Sequence, residues 1–64
     1  MKKYEIVGKN QDGDWETIKD NIKTLKQAVK MCRSINKDEW ATIDINLIID
    51  DDLKETYNEN GKIR

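Results

Sequence analysis

The sequence predicts an α+β fold: two layers, a four-stranded antiparallel sheet of order 2-1-3-4, and one helix across a face. Three observations carry this expectation. Asp12-Gly13 separates two β-prone runs, apolar residues recur with helical spacing over residues 25–35, and a largely alternating apolar run follows Trp40. The element order is therefore ββαββ, in a single domain over residues 1–64.

Tyr4, Ile6 and Val7 place the first strand at about residues 3–9. With Asp12-Gly13 as a two-residue loop, the second strand runs over about residues 14–19. Lys9 then faces Glu16 and Val7 faces Ile18, while Trp15 joins Tyr4 and Ile6 on the other side. Gly8 lies almost opposite Trp15 in this register and leaves room for that indole.

Thr24 stands three residues before Gln27, the spacing of a capping box. Leu25, Ala28, Val29, Cys32 and Ile35 follow as one apolar stripe, which predicts an amphipathic helix over about residues 24–37. Beyond Trp40, Ile43, Ile45, Leu47 and Ile49 alternate with Asp44, Asn46, Ile48 and Asp50. That pattern predicts a central strand over about residues 41–49 with its odd positions toward the core. A three-residue loop at Asp50-Asp51-Asp52 then sets Ile49 opposite Leu53, Leu47 opposite Glu55 and Ile45 opposite Tyr57, in a fourth strand over about 53–58. The competing reading of 53–58 is a short helix capped by Asp52. Glu59-Asn60-Gly61 reads as a turn, with fraying expected beyond it.

The helix returns the chain to the starting end of the second strand. The third strand thus runs antiparallel to the first and pairs with it, which fixes the order 2-1-3-4.

Composition narrows the function classes. A 64-residue chain has a thin core, and its one cysteine cannot close an internal disulfide. Without histidine, neither a structural zinc site nor an ordinary general base near neutral pH is available. Cys32 sits mid-stripe, where it reads as an inert core thiol. Gly8, Gly13 and Gly61 are isolated, so no phosphate-binding loop exists. No enzyme and no cofactor are expected. Oligomerisation is the remaining route to more buried surface, and a homodimer is expected. No stretch has the length and hydropathy of a membrane span or a signal-peptide core, so the expected setting is cytoplasmic.

The net charge of −1 conceals a segregation. Lys23, Lys26, Lys30, Arg33 and Lys37 give residues 21–37 a local sum of +5. Residues 38–59 sum to −7, including Asp44, Asp50, Asp51 and Asp52. On one continuous helix the five cations fall within about 80° of arc, opposite the apolar stripe. Such a ridge can neutralise phosphates or meet an acidic protein surface, though no interleaved aromatic is there to stack on bases. The plainer reading is a solvated helix face. The aspartates suggest either a polar turn or an acidic surface turned toward a basic partner; they lack the alternating ligands of a calcium loop, and no metal site is assigned. Ile48, on the face away from the helix, is the candidate apolar contact.

No motif identifies a family, and the general build resembles that of many small phage and mobile-element proteins. The expected function is a non-enzymatic protein-interaction module, an accessory or inhibitor protein working through charged surfaces. The alternatives are a sequence-tolerant nucleic-acid binder using the helix ridge and a structural subunit of a homo-oligomer.

Overall fold

The computed structural model describes residues 2–58 and the backbone of Gly61–Lys62. Strands β1 (Lys2–Lys9) and β2 (Trp15–Ile22) precede helix α1 (Leu25–Ser34). A 3₁₀ turn at Lys37–Glu39 leads into β3 (Thr42–Ile49) and β4 (Asp52–Asn58), and β5 (Gly61–Lys62) ends the order. The predicted order 2-1-3-4 is present, and β5 extends it by pairing antiparallel to the end of β4. Residues 59 and 60 of the expected last turn, and residues 63 and 64, lie outside the described residues.

β1 and β3 form the centre of the sheet. Their pairing runs without interruption from Lys2↔Ile49 to Lys9↔Thr42, which sets Ile6 opposite Ile45 and Tyr4 opposite Leu47. Even residues of β1 and odd residues of β3 therefore share one face. The helix covers that face with Ala28 and Cys32, and the core is Tyr4, Ile6, Ile22, Ala28, Cys32, Ile45 and Leu47. Ile6, Ala28 and Ile45 are fully buried. Tyr57 closes one side of the core with its ring edge-on to Tyr4, centroids 6.3 Å apart.

The first hairpin corrects the expected register. Gly13 at φ 92° is left-handed, but Asp12 is not, so the two-residue mirror-image turn is absent. The Gly13 amide instead donates to the Asn10 carbonyl (3.0 Å) and the Asn10 amide to the Asp14 carbonyl (2.8 Å). This is a three-residue loop with a glycine bulge. Asn10 secures it, because its Oδ1 accepts from the amides of Asp12 and Asp14 at 2.9 and 3.0 Å. Trp15 consequently pairs with Lys9, Glu16 with Gly8 and Thr17 with Val7. Trp15 lies on the helix-free face with Val7, not beside Tyr4 and Ile6.

Two further irregularities bend β2. The register slips between Val7↔Thr17 and Ile6↔Lys19, and again before Tyr4↔Ile22, where Asn21 adopts φ 56°. A bulge adds one residue and changes the face presented by the residues beyond it. The two slips cancel, so Ile18 and Ile22, each an odd number of residues from Trp15, turn to the core while Trp15 faces away. The place over Gly8 is taken by Trp40, not Trp15: a Cβ at Gly8 would meet Trp40 Cε3 at 2.5 Å.

The helix is shorter than its periodicity suggests. Thr24 caps it, accepting from the Gln27 amide at 3.2 Å, as the capping-box spacing predicts. It ends at Ser34, because Asn36 accepts from the Asp38 amide through Oδ1 (3.0 Å) and starts the 3₁₀ turn.

Residues 53–58 are strand rather than helix, and the pairs Leu47↔Glu55 and Ile45↔Tyr57 stand as expected. The turn differs: Asp50 and Asp51 form a two-residue loop with φ 51° and 69°. Ile49 then pairs with Asp52 and Ile48 with Leu53, and a bulge before Glu55 restores the register. Leu53 is therefore turned to the helix-free face and is 58% exposed.

Candidate functional surfaces

The five cations of the basic run do not form one ridge. Lys26, Lys30 and Arg33 lie on α1; Lys23 precedes its cap, and Lys37 belongs to the 3₁₀ turn. Lys37 lines a small recess of about 190 Å³ with Cys32 and Trp40, away from the other lysines. The three helical cations span about 60° of arc and border the half-buried Leu25 and Val29.

The acidic run is likewise divided. Asp44 pairs with Val7 in the middle of the helix-free face. Asp50 and Asp51 occupy the β3–β4 turn and Asp52 opens β4, about 20 Å along the strand from Asp44. Asp50 and Asp51 line a recess with Lys3, Asn21 and Ile48. Lys3 Nζ also stands 3.4 Å from Asp20 Oδ1 on β2, so this end of the sheet mixes both signs. Among the described residues, no group of three or more Cys, Asp or Glu side chains is arranged to hold a metal ion. No helix among them is long and apolar enough to cross a membrane.

The helix-free face is more organised than the charge pattern suggested. Across its centre Thr56 Oγ1 donates to Asn46 Oδ1, and Asn46 Nδ2 donates to Glu5 Oε1, both at 3.2 Å. This ladder ties β1, β3 and β4 together and satisfies the buried Thr56 hydroxyl. Around it stand Val7, Trp15, Ile48 and Leu53. Trp15 is 52% exposed, and with Val7, Asp44 and Leu53 it lines a shallow cavity of about 300 Å³.

No family model, curated protein or solved structure matches this chain. Function must therefore be read from the surfaces themselves. Ile48 lies where the alternation of β3 puts it, on the helix-free face opposite Leu53. Sequence reasoning misses Trp15 and Leu53 there, because a loop one residue wrong assigns each to the core face. The available signal is Asn10 two residues before Asp12, which favours a side-chain-stabilised turn over a mirror-image one.

On the helix side, α1 packs over β1 and β3 and leaves β2 less covered. Met31 is 39% exposed and overlooks Ile18 across a groove of about 610 Å³.

Proposed function

We propose that this chain is a small non-enzymatic interaction module that self-associates through the helix-free face of its sheet. The observation that carries the reading is the joint exposure of Trp15 and Leu53 around one cavity on that face. An antiparallel sheet with one wet face normally shows polar residues there, so exposed Trp and Leu break the pattern. Large exposed apolar groups on a small monomer favour an interface, and Trp is enriched among residues that anchor one.

A second copy of the chain is the occupant the face fits. A twofold arrangement sets the patch against itself, pairing Trp15 and Leu53 of one copy with the same residues of the other. The face also carries both signs, with Glu5, Lys9 and Asp44 all on it, so a self-contact need not oppose like charges. Two sheets packed this way would add a second core to one that holds seven buried hydrophobic residues among the described ones.

Sedimentation equilibrium tests the reading. The wild type is expected to be a dimer at micromolar concentration, and Trp15→Ala with Leu53→Lys a monomer with an unchanged circular dichroism spectrum. A monomeric wild type, or a variant that still dimerises, overturns it.

A further inference from the structure

We infer that the groove between α1 and β2 is a docking site for an acidic amphipathic helix of a partner protein. This goes beyond self-association, which uses the opposite face of the sheet. Ile18 of β2, Met31 of α1 and Ile35 just past the end of α1 make its apolar wall, above Ile6. α1 packs more against β1 and β3 than against β2, and β2 carries two bulges on this side of the sheet. Met31 is the exposed large apolar residue of α1, and an unbranched thioether adapts to varied partner side chains.

Charge specifies the occupant. Lys19 on β2 and Lys30 on α1 stand on opposite sides of the groove, and among the described residues no acidic one lines it. Lys30 and Ser34 also border the neighbouring recess along α1, which Lys26 and Arg33 line with Leu25 and Val29. The two recesses thus form a continuous surface, apolar at the groove and basic beside it. A helix carrying apolar residues at i, i+3/i+4 and i+7 fills such a groove, while its acidic flanks face the lysines. The ten residues of α1 provide a wall about 15 Å long, enough for two to three turns of a partner helix. A nucleic acid would use the cations but has no aromatic platform here: Trp15 is on the far face and Trp40 packs over Gly8.

Fluorescence anisotropy with three labelled probes separates these cases. They are an acidic 16-residue peptide with leucines at helical spacing, the same composition scrambled to remove the stripe, and a single-stranded oligodeoxynucleotide. Measurements on both the wild type and the Trp15→Ala/Leu53→Lys variant separate a failure here from a failure of self-association. The patterned peptide is expected to bind both proteins, at least tenfold more tightly than the scrambled one. Lys30→Glu and Met31→Asp are each expected to weaken it at least tenfold, with helix content checked by circular dichroism. Equal binding of the two peptides, preference for the oligonucleotide, indifference to both substitutions, or no peptide binding overturns the inference.

Discussion

A Cβ on Gly8 would lie 2.5 Å from Trp40 Cε3 and 2.8 Å from Ile18 Cδ1, closer than real Cβ contacts come. The isoleucine methyl can turn away, but the indole is a rigid plate. Gly8→Ala is expected to cost about 2 kcal/mol, the usual scale for overpacking a filled site, read as a lower urea midpoint with an unchanged slope. An unchanged midpoint would show that the indole is not seated there. Tyr57 offers a second single-residue test. Its hydroxyl donates to the Glu55 carboxylate, and that hydrogen bond, then burial, push its pKa from 10.0 up to about 12. Since the bond needs the neutral phenol, its stabilisation is complete below pH 10 and is lost as pH rises through about 12. In a Tyr4→Phe background, where Tyr57 is the remaining tyrosine, phenolate absorbance should titrate near 12, and adding Glu55→Gln should lower the midpoint. A midpoint near 10 without the second change would remove the hydrogen bond from the account.

At the scale of elements, loops are harder to read from sequence than strands. Alternation from Ile43 to Ile49 marks β3 and its core residues, and the Thr24–Gln27 spacing marks the start of α1, because both signals are local. The end of α1 is less legible. Ile35 continues the apolar spacing, yet the Asn36 side chain bonds the backbone and diverts it into the 3₁₀ turn. The β3–β4 turn makes a testable case. Asp51 at φ 69° occupies a region that costs an L-residue about 1–2 kcal/mol, less for Asp than for most. Asp51→Gly is expected to raise stability by about 0.5 kcal/mol, and Asp51→Val to lower it by about 1–2 kcal/mol. The order of the two thermal midpoints checks this; if Val equals or exceeds Gly, the left-handed turn is wrong.

For the whole molecule, the segregated charges of the sequence do not become two opposed faces. Asp44 lies mid-sheet, the aspartate turn lies at a strand end beside Lys3, and Lys37 leaves the helical row. Assembly through Trp15 and Leu53 therefore predicts a dimer whose dissociation constant changes little between low and high salt. Light scattering at the two ionic strengths checks this, and dissociation at high salt would favour charge pairing between copies. By itself, the sequence determined the types of β1, β2, α1 and β3, their order, and the antiparallel pairing of β1 with β3, since these follow from periodicity and short-range chain geometry. Only the tertiary structure decided which surfaces are available for binding. Strand faces alternate every residue, so a first loop one residue longer and a second one residue shorter than expected move Trp15 and Leu53 to the other side of the sheet. The groove beside Met31 also depends on where α1 settles across the strands, which non-local packing sets.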